Sequence, residues 1–93
     1  MKAAVIFNPR SGRRQAPRIK GIAERIAHET GVELQLLEIK GPGDGTVLAR
    51  EAAAAGFDRV ISVGGDGTNN AVARGLLNGP VPMGVVAMGS GNG

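Results

Sequence analysis

The stretch VISVGGDGTNNAV, Val60 to Val72, decides how this chain is read. A β-branched apolar run leads into GGDG, three glycines and an aspartate at positions 64–67, and then into a segment of helical character. Strand, glycine-dense turn and helix start form the geometry that aims free backbone N–H groups and a helix dipole at an anion. The stretch lacks the last glycine of G-x-G-x-x-G, and no G-x-x-x-x-G-K-[ST] occurs in the chain. The plain alternative is a βα turn in which Asp66 or Thr68 caps the helix. One glycine satisfies such a turn, whereas three favour close backbone approach by a ligand.

An aspartate inside an anion loop repels phosphate unless a cation intervenes. With Mg²⁺ present the sign reverses, because a carboxylate holds the metal while the metal bridges phosphates. Asp66 could also orient or deprotonate an attacking hydroxyl. Helix cap, metal support and base are thus three roles open to it.

Outward from this stretch the chain alternates strand and helix. KAAVIF (2–7) reads as a buried strand closed by Asn8 and Pro9. Ile19, Ile22, Ala23, Ile26 and Ala27 follow the spacing of one helix face, with Pro17 suited to the first turn and Gly31 to the C-terminal cap. ELQLLEI (33–39) reads as a second strand. KGPGDG (40–45) is expected to hold no regular structure, and the alanine-rich TVLAREAAAAG behind it reads as a helix stopped by Gly56. DRVISV (58–63) is the third strand, a helix from about Thr68 to Leu77 ends near Asn78, Gly79 and Pro80, and MGVVAM (83–88) is the fourth strand. His28 reads as a surface residue, and Met83 and Met88 as core.

Strands alternating with helices imply βαβ units and a mainly parallel sheet, hence an α/β, three-layer α/β/α Rossmann-like lobe of about four strands and three helices. All strand C-termini then share one edge, where open α/β sheets bind ligands. The loops NPRSGRR, KGPGDG, GGDGTNN and GSGNG fall on that edge.

Composition narrows the function classes. Ninety-three residues suit one domain, burying roughly 60–65% of the unfolded surface. Apolar residues make up 42% and charged residues 20%, which argues against disorder. The absence of cysteine excludes disulfides, thiolate nucleophiles and Cys-based zinc sites. The start is too short in apolar residues for a signal peptide, and no run approaches the ~18 residues of a membrane span, so a cytoplasmic location is expected. The net charge is +3, with Arg10, Arg13, Arg14, Arg18 and Lys20 grouped; they form either a solvated basic face or an anion-binding patch. Phe7 and Phe57 are the only aromatics, too few for a base-stacking platform, so nucleic acid is not an expected partner.

These residues resemble the diacylglycerol kinase catalytic-domain family, which includes bacterial lipid kinases and sphingosine kinases. VIFNPRSGRR is similar to that family's N-P-x-S-G loop, the block from Gly41 through Leu76 to its central region, and GSGNG to its G-T-G-N-D loop. G-G-D-G-T alone also fits NAD kinases, whereas Asn8, Pro9, Ser11 and Gly12 favour the lipid-kinase branch. The resemblance implies ATP- and Mg²⁺-dependent phosphoryl transfer to a lipid hydroxyl, with the lipid met by peripheral contact at a membrane surface. It implies that Gly64, Gly65, Asp66, Gly67, Thr68, Asn69 and Asn70 cradle the nucleotide, that Asn8 and Gly12 shape the neighbouring loop, and that Gly89, Ser90 and Gly91 form a further nucleotide contact. Asp66 is then both the catalytic and the metal-linked residue. The resemblance implies that residues 1–93 correspond to the nucleotide-binding lobe of that family, and its second, β-rich lobe is expected to be absent from them. The chain departs from the family in having Ile39 and Lys40 where Ser or Thr often contacts nucleotide, and Gly93 where Asp is usual. A NAD-kinase-like phosphotransferase and a non-enzymatic doubly wound interaction module are the competing expectations. A lobe without its partner is expected to associate as a homodimer.

Overall fold

The computed structural model describes residues 1–8 and 15–86. Its elements, in chain order, are β1 (Lys2–Phe7), α1 (Gln15–Thr30), β2 (Glu33–Glu38), α2 (Asp44–Ala54), β3 (Arg59–Val63), α3 (Asp66–Leu76) and β4 (Met83–Val86). The four strands form one parallel sheet in the order β2-β1-β3-β4. Because β1 is central, Ala3 through Phe7 are all buried, which is why this strand is continuously apolar rather than alternating.

Side chains leave the sheet on two sides. Ala4, Ile6 and Val60 pack with Ala49, Ala52, Phe57 and Val72 beneath α2 and α3. On the opposite face Val5, Phe7 and Val63 pack with Ile19 of α1. Helices therefore cover both faces, giving the three-layer α/β/α arrangement expected. Fully burying an aliphatic side chain such as Ile6 contributes about 1.5–3 kcal/mol.

The α1 stripe is only half covered. Ile19 and Ala23 are buried, but Ile22 and Ile26 remain 39% and 42% exposed. With Leu34, Ile61 and Val86 they line an open apolar trough between α1 and the sheet.

Two boundaries differ from expectation, both at the ligand edge. KGPGDG is not wholly irregular: Asp44 and Gly45 lie in the first turn of α2. Gly43, at φ 86°, turns the chain into the helix, and the Asp44 carboxylate accepts the Lys40 N–H at 2.9 Å. Helix α3 likewise starts at Asp66, two residues earlier than read, so half of GGDG is helix rather than loop. Smaller differences are that β2 ends at Glu38, β3 begins at Arg59, and β4 is described only to Val86. Gly31 (φ 75°) and Gly56 (φ 92°) stop α1 and α2 as expected. His28 is exposed, Met83 packs against the core, and Met88 lies outside the described residues.

Helices α2 and α3 approach unusually closely, because small residues line their contact. A Cβ on Gly45 would sit 3.0 Å from the Ala71 Cβ. One on Gly75 would collide with the Thr46 carbonyl oxygen and lie 2.8 Å from the Ala49 Cβ. The Thr46 hydroxyl donates to the Ala71 carbonyl at 2.8 Å across the same seam. This seam sets the first turn of α2 against the middle and C-terminal half of α3.

Candidate nucleotide site

The chain runs from β1 to β2 on one side and returns through α2 to β3 on the other, so the direction of winding reverses at β1. Ligand crevices of open α/β sheets lie at such a reversal, beyond the strand C-termini. A cavity of about 450 Å³ occupies that position. One wall is Gly65, Gly67, Thr68 and Ala71 of α3 and its approach, the other is Ile39 to Gly43 and Gly45, and Asn8 closes the end of β1.

The glycines of GGDG have different reasons for being glycine. At Gly64 (φ 157°) an added Cβ would lie 2.8 Å from the Thr68 hydroxyl oxygen, so this position is fixed by internal packing. Gly65 and Gly67 meet nothing within 4 Å at the same test, and neither has a positive φ. The fold requires no glycine at 65 or 67. Both line the cavity, where absent side chains leave backbone N–H groups open to a ligand.

The N-cap of α3 is Gly65, with no side-chain cap hydrogen bond. Neither Asp66 nor Thr68 therefore caps this helix, which removes the side-chain-capped form of the plain turn. Asp66 occupies the first turn and is exposed, where its charge suits the helix dipole. Thr68 is buried over Gly64. Asn69 bonds through its backbone to Gly65, and its side-chain oxygen accepts the buried Ser62 hydroxyl at 2.7 Å. Ser62 thereby holds the first turn of α3 to β3. It was not among the residues singled out from sequence, although a lone serine in an otherwise apolar strand is the signal that marks it.

Of the sequence-derived residues, the cavity gathers Asn8, Gly65, Gly67 and Thr68. Gly64 and Asn69 support it from behind, whereas Asp66 and Asn70 are exposed beside it. Gly12, Gly89, Ser90 and Gly91 lie outside the described residues, as do Arg10, Arg13 and Arg14; Arg18 is exposed on α1. Gly41, Pro42, Gly45 and Ala71 join the site only once the fold is known.

The site's chemistry fits a nucleotide with its metal. Glycine backbone at a helix start suits phosphate oxygens, and one exposed carboxylate beside them suits Mg²⁺, which usually takes one or two carboxylates plus substrate phosphates. Among the described residues no group of three or more His, Asp or Glu forms a metal cage. No helix of the described residues is long and apolar enough to cross a membrane.

Comparison with known proteins places this chain among relatives of one family. The chain is 36% identical over 93 residues to a diacylglycerol kinase of Bacillus subtilis, an alignment covering 98% of this chain and 31% of that protein. It is 37% identical over 92 residues to a probable lipid kinase, YegS-like, of Chromohalobacter salexigens, covering 95% of this chain and 29% of the relative. A crystal structure of a diacylglycerol kinase from Bacillus anthracis superposes with a TM-score of 0.77 at 28% identity, over 92% of this chain and 32% of that one. The chain thus spans about a third of the length of these relatives. Residues 2–93 match the diacylglycerol kinase catalytic domain, and the chain belongs to that family.

Proposed function

We propose that residues 1–93 form the ATP-binding lobe of a lipid kinase that transfers the γ-phosphoryl group to a lipid hydroxyl, as the diacylglycerol kinases it resembles are named for doing. One observation carries the reading: Gly65 and Gly67 border the cavity, and neither packing nor backbone conformation requires them to be glycine. Bare backbone at this point lets the N–H groups of the α3 start reach phosphate oxygens.

Phosphoryl transfer is mainly a matter of positioning and charge neutralisation. Gly65, Gly67 and Thr68 hold the phosphate chain against α3, and Asn8 bounds it at the end of β1. Asp66 would support Mg²⁺, which would supply neutralisation of phosphate charge, or would orient the acceptor hydroxyl. Ser62 fixes Asn69, and with it the turn that presents these groups. Gly12, Asn70, Gly89, Ser90 and Gly91 complete the nucleotide contacts in this reading, and Gly64 backs the turn that presents them. A second, β-rich lobe supplies the lipid determinants, so the isolated lobe binds nucleotide and turns over slowly or not at all. We place the protein in the cytoplasm, meeting its lipid at a membrane surface, and as a homodimer.

Titration of ATP·Mg²⁺ into the purified chain tests the reading. Saturable binding is expected, with its Mg²⁺ dependence weakened in Asp66→Ala. Absence of binding at millimolar ligand would refute it, and a variant that keeps its full Mg²⁺ dependence would leave Asp66 only the acceptor-orienting role.

A further inference from the structure

We infer that Lys40 is a phosphate-contacting, affinity-determining residue of the nucleotide cavity; this rests on the ATP-binding reading above. Among the described residues lining that cavity, Lys40 carries the only charged side chain. The other liners are glycines, Pro42, Ile39, Ala71 and the uncharged polar residues Asn8 and Thr68.

The charge is available for a ligand. All of the chain's Asp and Glu residues lie among the described residues, and none lines the cavity. Asp44, nearest in sequence, engages the Lys40 backbone N–H at 2.9 Å rather than its ammonium. Among the described residues the ammonium has no ion-pair partner. That backbone bond, with Asp44 N–H donating to the Gly41 carbonyl at 3.2 Å, fixes the turn from which the lysine stem projects. Among the described residues the cavity lining holds one cation and no carboxylate, a balance that favours an anionic ligand such as a phosphate chain. The point charge and long stem of lysine suit phosphate without demanding a fixed angle.

The resulting assignment is specific about which end of the ligand gains. Lys40 strengthens binding of the phosphate chain and leaves the nucleoside unaffected. The experiment measures, by calorimetry with Mg²⁺, the binding of ATP, ADP and adenosine to the wild-type chain, Lys40→Met and Lys40→Arg, with thermal melts to verify folding. Lys40→Met is expected to bind ATP about tenfold more weakly, equivalent to about 1.4 kcal/mol, with a shallower dependence on NaCl. Lys40→Arg retains wild-type affinity, and adenosine affinity is equal in all three. A wild-type chain that fails to bind ATP overturns both the nucleotide reading and this one. Wild-type ATP binding that Lys40→Met leaves intact, or a loss equally large for adenosine, overturns the Lys40 assignment alone.

Discussion

Replacing Gly67 with alanine should make the protein more stable and worse at binding ATP. In the first turn of α3 a Cβ at this position meets no atom within 4 Å, and the backbone needs no left-handed conformation. Alanine also restricts the unfolded chain more than glycine, and a helical Gly→Ala change is favourable by about 0.5–1 kcal/mol. Near a helix end the lower figure applies. For a domain of this size, about 0.5 kcal/mol raises the melting temperature by roughly 2–4 °C. The ligand side has the opposite sign. A phosphate oxygen bonded to a backbone N–H lies about 2.9 Å from the nitrogen, whereas a methyl carbon keeps its neighbours at about 3.5–4.0 Å. The added methyl pushes the phosphate outward, and losing one charge-assisted hydrogen bond costs about 1.5–3 kcal/mol, or roughly 10- to 100-fold in affinity. Melting curves with and without ATP·Mg²⁺, alongside calorimetric titration, read both effects from one sample. A lowered melting temperature would show that Gly67 serves the fold, and unchanged ATP affinity would show that no phosphate approaches it; either result refutes the reasoning.

Two other expectations concern packing. Gly75→Ala, chemically the same change, should instead destabilise the chain, because the new methyl meets the Thr46 carbonyl oxygen and lies 3.2 Å from the Arg50 backbone nitrogen. Overpacking of this kind costs about 1–3 kcal/mol, more than the helical gain, so the urea midpoint falls; an unchanged midpoint would contradict the close α2–α3 contact. Static light scattering at tens of micromolar is expected to give the mass of a dimer, since Val85 and Val86 on the β4 edge are 56% and 41% exposed beside the open trough. A clean monomer mass would refute the association.

Much of the fold was legible because its signals are local. Apolar strand-like runs, the apolar face of α1, the alanine-rich stretch of α2 and the helical stretch behind GGDG identified the seven elements of the described residues, and Gly31 and Gly56 marked helix stops through the left-handed conformation they adopt. The misread boundaries have a shared cause. At both α2 and α3 the N-cap is a glycine with no side-chain cap bond, so the usual Ser, Thr, Asp or Asn signature is missing and the first helical turn looks like loop. What the sequence could not display was non-local. The spacing of Ile22 and Ile26 placed them on the α1 face but could not say whether anything covers that half of the stripe. The strand order was equally hidden, and with it the fact that KGPGDG and GGDG share one cavity. GGDG itself was visible as a ligand loop, yet only the geometry separates Gly64, which serves packing, from Gly65 and Gly67, which do not.

The small-residue seam between α2 and α3 also bears on how this family's sequences can drift. Gly45 faces Ala71 at a distance that admits a methyl only if the neighbour shifts, and Gly75 faces Thr46 and Ala49 at distances that leave no room for one. At Gly45 a larger residue is best matched by a smaller one at position 71, whatever ligand the protein binds, whereas at Gly75 the obstacle is backbone and no side-chain change on α2 relieves it. Correlated change between positions 45 and 71, within reach of the nucleotide cavity, would record how two backbones fit together rather than which substrate they serve.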